Sequence, residues 1–104
     1  MTQIVEKIVQ WAKDRGLDKA DASRQMLKLM EETGELAAGL AKSRQEQITD
    51  SIGDITVVLI VLCTQLGISF EDCVDVAYGE IRNRKGKLVN GVFIKETDLP
   101  KEEK

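Results

Sequence analysis

QEQITDSIGDITVVLIVLCTQL, residues 45–66, is the stretch whose reading decides the fold. Its centre, from Ile55 to Val58, is β-branched enough to pass for a buried strand. Length settles the matter, because the segment contains no Pro and only Gly53, and a strand that long is abnormal in a small domain. A helix apolar nearly all round follows, closed by Gly67. The chain is therefore read as all-α.

Working outward, Ser43 with Glu46 forms a capping-box pattern for this third helix. Upstream, Asp21 predicts the N-cap of a long second helix ending near Lys42, with Met26, Leu27, Met30, Leu36, Ala37, Leu40 and Ala41 on its inner side. Ile4, Val5, Ile8, Val9 and Ala12 mark one face of a first helix from Gln3 to Arg15, stopped by Gly16, with 17–20 as a connection. Downstream, Ser69 with Asp72 repeats the capping box and opens a fourth helix through Val74, Val76, Ala77 and Ile81, fading over 84–86. Asn90-Gly91 between Leu88-Val89 and Val92-Phe93-Ile94 predicts a short hairpin. The expectation is a four-helix bundle-type subunit with a C-terminal hairpin or extended tail, forming one domain over residues 1–100, with 101–104 frayed.

The chain has 104 residues and a net charge of −3. A domain of this size buries about two thirds of its unfolded surface, so a partner subunit adds much to its stability. A homodimer or homotetramer is expected, with the apolar helix from Ile55 to Leu66 at the interface. There is no histidine, which excludes imidazole acid–base chemistry, Ser-His and Cys-His nucleophile pairs, and imidazole metal ligation. Cys63 and Cys73 have neither zinc nor redox spacing and read as reduced and structural. Charges at Glu6 and Lys7 interrupt the N-terminal apolar pattern, and the longest mainly apolar run, Ile55 to Cys63, falls short of the roughly 20 residues of a bilayer span. A soluble, cytoplasmic protein without membrane or nucleic-acid partners is predicted.

The chemistry is expected where carboxylates cluster. KLMEETGEL carries Glu31, Glu32 and Glu35; Glu32 and Glu35 share a helical face, with Lys28 one turn before Glu32. Asp50 and Asp54 share a face at the start of the third helix, next to its most apolar part. An acidic run on a helix is most often a solvated face. A second carboxylate pair beside a buried run favours a cation, because an unpaired buried charge costs several kcal/mol. Two facing helices can converge oxygen ligands on Mg²⁺ or Mn²⁺ without imidazole. Gly34 and Gly53 each weaken their helices by about 0.5–1 kcal/mol relative to Ala, a cost explained by close helix approach or by room for a ligand.

EETGEL (31–36) followed by DSIGDITVVL (50–59) resembles the all-α nucleoside triphosphate pyrophosphohydrolases, specifically the small MazG-like proteins of bacteriophages and bacteria. Their signature is EExxE, a spacer, then ExxD, and the resemblance runs from about Trp11 to Glu96, including RNRKGKLVNGVFIKE. It implies Glu31, Glu32, Glu35 and Asp54 as metal ligands, with Glu32 and Glu35 catalytic and Glu32 orienting or deprotonating the attacking water. The Glu of ExxD falls on Ser51, a poor Mg²⁺ ligand, and Asp50 is the expected substitute. Arg82, Arg84, Lys85 and Lys87 read in isolation as cations favourable at a helix C-terminus. The resemblance makes Arg84, Lys85 and Lys87, with Asn83, the clasp of the triphosphate, helped by Lys28.

The implied activity is Mg²⁺-dependent hydrolysis of a (d)NTP to a (d)NMP and pyrophosphate. Related readings are a dUTP/dCTP-type or phosphoribosyl-ATP pyrophosphohydrolase. A non-catalytic nucleotide-binding helical oligomer is the alternative from another class, supported by Ser51. Nucleic-acid binding by RNRKGK is the remaining alternative, and it predicts salt-sensitive binding independent of Mg²⁺. Trp11 on its amphipathic helix reads as core or interface before base stacking.

Overall fold

The computed structural model describes residues 2–100; the expected frayed tail lies outside the described residues. In chain order the elements are α1 (Thr2–Asp14), a 3-10 turn (Leu17–Lys19), α2 (Ala22–Ala41), α3 (Gln45–Leu66), α4 (Phe70–Ile81), β1 (Gly86–Val89), β2 (Val92–Lys95) and a second 3-10 turn (Glu96–Asp98). The fold is mostly helical, as expected, with a two-stranded hairpin at its C-terminal end. Contacts divide the chain into a first unit up to Asp72 and a second from Cys73 onward.

In the first unit α3 is the central element, packed by α1, α2 and the first 3-10 turn. Its Val58, Ile60 and Val61 are buried inside the chain together with Val5 and Ala12 of α1. The helix also has the length and composition of a membrane span, and part of its apolar surface, including Ile52 and Leu66, stays exposed. Three glutamines tie α3 to its neighbours through backbone carbonyls. Gln47 Nε2 donates to Glu35 O at 2.9 Å, Gln25 Nε2 to Val58 O at 3.5 Å, and Gln65 Nε2 to Leu17 O at 3.0 Å. The first two run in opposite chain sense along the α2–α3 pair and so set its antiparallel register.

The helix ends follow their local chemistry. Asp21 caps α2 by accepting from Ser23 N at 2.9 Å. Gly67 closes α3 in the left-handed region, with Ile68 N donating to Cys63 O at 3.0 Å. Ser69 Oγ accepts from Asp72 N at 3.3 Å, which is half of the expected capping box. The Ser43–Glu46 box does not form. The link between α2 and α3 is so short that Ser43 takes a φ of 53° to reverse the chain, and Arg44 becomes an N-cap whose side chain makes no capping bond. A left-handed Ser43 cannot also hold the extended conformation of an N-cap.

The inner face of α2 also differs from expectation. Gly39 is buried, and Gln25, Leu29, Glu32 and Leu36 are half-buried at spacings of three and four. Of the residues expected inside, only Leu36 is half-buried; Ala37 and Ala41 are exposed, and Met26, Leu27, Met30 and Leu40 point outward, Leu27 and Met30 at 65% and 61% exposure. Hydrophobic periodicity found the most apolar stripe, which is not the stripe facing α3. The close approach of the two helices occurs at Gly39, where a Cβ would meet Gln47 Cγ and Ile48 Cγ1 at 3.3 Å, while Gly34 and Gly53 have nothing within 4 Å. Gly39→Val should therefore lower stability by about 1–3 kcal/mol in chemical denaturation, through overpacking. An unchanged midpoint and slope would show that α2 and α3 separate there at no cost.

In the second unit, Asn90 (φ 51°) and Gly91 (φ 79°) form the I′-type turn that the dipeptide predicts. The strands pair antiparallel with Gly86 opposite Lys95, Lys87 opposite Ile94, Leu88 opposite Phe93 and Val89 opposite Val92. Leu99 is buried, and Val89 and Ile94 are half-buried. Helix α4 runs through Val74, Val76, Ala77 and Ile81 as expected, and all four are exposed. Cys63 and Cys73 are thiols, as expected.

Candidate metal centre

Glu32 is the only member of its acidic cluster on the inner face of α2, and its position there follows from the Gln25–Leu29–Glu32–Leu36 spacing. Its Oε2 is buried and accepts no hydrogen bond. Burial pushes the Glu32 carboxyl above the ordinary glutamate range; Asp54 and Glu35 push it further, Lys28 pulls it back, and Glu31 adds to the rise. Glu31, Glu35 and Asp54 therefore all act electrostatically on Glu32, although Asp54 comes from the other helix.

Beside them is a cavity of about 540 Å³ lined by Glu35 of α2 and by Gln45, Glu46, Gln47, Asp50, Ser51 and Asp54 of α3, together with Arg44. Gln47 holds this arrangement by donating to the Glu35 carbonyl, which fixes the EETGE turn against the start of α3. Asp50 and Asp54 reach the cavity from exposed positions, whereas Ser51 reaches it from a position only 2% exposed. The expected substitute for the missing glutamate, Asp50, thus opens onto the same space as Glu35 and Asp54. Among the described residues no three of these side chains close to ligating distance around a common point. The donor set still suits a hard cation: it is all oxygen, drawn from two helices, and includes one buried carboxylate oxygen without a partner.

The expected phosphate-binding residues divide. Lys28 lies on α2 in electrostatic reach of Glu32. Asn83, Arg84 and Lys85 belong to the second unit and line a separate cleft of about 360 Å³ with Glu80, Lys95, Glu96 and Thr97. Lys87 lies on β1, paired with Ile94, and does not line that cleft. Trp11, half exposed, stacks on its own helix neighbour, with the Arg15 guanidinium 4.4 Å from the ring centroid. Sequence reasoning missed Arg44, Lys95 and Thr97. Arg44 precedes α3 with no patterned neighbour, and Lys95 follows a strand, so neither carries a periodic signal that singles it out.

The MazG-like family model matches residues 24–88, a span holding every carboxylate of the candidate centre as well as Asn83, Arg84, Lys85 and Lys87. Among curated proteins, the chain is similar to one described as an uncharacterized 18.2 kDa protein in the rep-hol intergenic region of Haemophilus phage HP1. The two are 46% identical over 66 residues, which is 62% of this chain and 40% of the relative, so the chain spans about two fifths of that protein's length. No solved structure matches. With the family match covering well over half of its residues, including the EExxE carboxylates of α2 and Asp54 of α3, the chain belongs to the MazG-like family.

Proposed function

We propose that this protein is a Mg²⁺-dependent nucleoside triphosphate pyrophosphohydrolase, acting between the α- and β-phosphates to give a monophosphate and pyrophosphate. The observation that carries the reading is the buried, unpartnered Oε2 of Glu32 in the field of three further carboxylates. Such an arrangement is costly unless a cation meets it. Family membership supports the reaction class.

Glu32, Glu35 and Asp54 would hold Mg²⁺ or Mn²⁺, with Asp50 and Glu31 as further oxygen donors. When bound, the ion neutralises phosphate charge and lowers the pKa of a water bound to it. Glu32, the least solvated carboxylate of the group, is placed to orient the attacking water and accept its proton. Glu35 extends the same carboxylate face toward the cavity and, through its backbone carbonyl, anchors Gln47. Arg44 would supply positive charge in the cavity lining and Lys28 beside Glu32, where a polyphosphate would otherwise meet mostly acids. The exposed apolar stripe of Met26, Leu27 and Met30 supports assembly as a homodimer or homotetramer, since it does not face α3.

The test is pyrophosphate release from the eight common ribo- and deoxyribonucleoside triphosphates, with and without Mg²⁺, using Glu35→Ala as control. Metal-dependent release that the variant loses by about 100-fold or more is the expected result. The opposing reading, a nucleotide-binding oligomer without turnover, is favoured by Ser51, which offers a hydroxyl where the family pattern has a carboxylate. It predicts nucleotide binding with no pyrophosphate from any of the eight.

A further inference from the structure

The cleft of the second unit holds three cationic side chains, Arg84, Lys85 and Lys95, together with the donors Asn83 and Thr97. None of the three cations has an ion pair or a side-chain hydrogen bond among the described residues, although two carboxylates, Glu80 and Glu96, line the same cleft. Arg84 and Lys85 are brought there by the end of α4, whereas Lys95 comes from the far end of the hairpin. Two features hold it there. Glu96 N donates to Lys85 O at 2.7 Å, which joins the base of the hairpin directly to the chain leaving α4. Lys95 also pairs with Gly86, where a Cβ would run into Ile94 O and come within 2.7 Å of Phe93 Cζ. The hairpin therefore closes tightly only because residue 86 has no side chain.

The geometry points to Lys95 as a phosphate-binding residue, taking a phosphate group together with Arg84 and Lys85 within the second unit. Lys95 lies beyond the span matched by the family model, and the hairpin supplies it. Three unpaired cations around a space of about 360 Å³ suit a di- or triphosphate in size and charge. The two carboxylates leave the lining with a small net positive charge, so the cleft favours an anion that fits all three cations over diffuse binding of any polyanion. This inference rests on the nucleotide reading above only for the identity of the phosphate's carrier.

The experiment uses the full chain, Lys95→Gln and Lys95→Arg. Binding of inorganic pyrophosphate, and of an α,β-methylene deoxynucleoside triphosphate that cannot be hydrolysed, is measured by calorimetry beside steady-state kinetics. Lys95→Gln should weaken binding by about 10-fold, and Lys95→Arg should restore most of it. Weakening with both ligands assigns the contact to the polyphosphate tail; weakening confined to the analogue assigns it to a phosphate still carried by the nucleoside. Binding that matches the parent chain overturns the role of Lys95 and leaves the hydrolase reading intact. Loss of pyrophosphate binding in Lys95→Gln, from a chain that hydrolyses none of the eight triphosphates, supports the cleft and overturns the hydrolase reading instead. Circular dichroism confirms that the variants, changed at an exposed position, keep the fold.

Discussion

Glu32→Gln is expected to lose Mg²⁺-dependent turnover by about 100-fold or more and, in EDTA, to melt above the parent chain at pH values above the raised Glu32 value. The two effects have one cause. The Glu32 carboxyl is held above the ordinary glutamate range by burial first, then by Asp54 and Glu35. A group whose folded value is raised contributes stability that is full below its unfolded value, about 4.3, and lost as pH rises through the folded value. Once Glu32 ionises, the metal-free protein bears a partly buried charge among like charges, and the isosteric amide removes it. The thermal advantage of Glu32→Gln should shrink as pH falls toward the unfolded value, and should reverse when saturating Mg²⁺ stabilises only the parent chain. Melting curves from pH 4 to 8, with EDTA and with Mg²⁺, read both. An amide variant less stable than the parent at every pH in EDTA would show that Glu32 is held by an attractive partner and would remove the main support for a cation there.

This opposition between stability and function marks where sequence reasoning succeeds and where it stops. Features set by adjacent residues are legible: the Asp21 cap, the stop at Gly67, the Asn90-Gly91 turn, and the helical state of residues 45–66 against a β-branched centre. Each is a local energy that tertiary packing did not override. The Ser43 cap was lost because the short link needed a left-handed residue there, and only the antiparallel register of α2 and α3 creates that need. The orientation of α2 was illegible for a further reason. Periodicity ranks faces by hydrophobicity, yet the face turned to α3 contains Gln25 and Glu32, and the most apolar face is left outside. A helix that presents a carboxylate inward and Met26, Leu27 and Met30 outward meets the demands of a site and of a partner at once, and its sequence does not label which stripe serves which. The carboxylates themselves were found by spacing. Their grouping depends on Gln47 and Gly39, which hold α3 against α2 and carry no chemical signature of a site.

Ser51→Glu tests that grouping most severely. Ser51 is nearly fully buried and lines the cavity between Glu35, Asp50 and Asp54. A glutamate there adds a charge where α3 meets α2, and also adds volume to a packed position. In EDTA the expected loss is about 3–5 kcal/mol, from an uncompensated buried charge and from overpacking. For a domain near this size, that lowers the melting temperature by roughly 12 °C or more. If the carboxylates around Ser51 form a cation site, Mg²⁺ should recover most of the loss, because a further oxygen ligand tightens binding to the folded state alone. The recovery should fail in the double variant Ser51→Glu, Asp54→Asn, which keeps the new volume and removes a facing ligand. Recovery in the single variant with raised turnover would show that Asp50 fills the missing position imperfectly; recovery with turnover unchanged or reduced would show that Asp50 already fills it. A loss that Mg²⁺ leaves untouched would mean that position 51 points into packing and not toward an ion. In that case the two carboxylate pairs would have to be separate charged surfaces that share a helix interface.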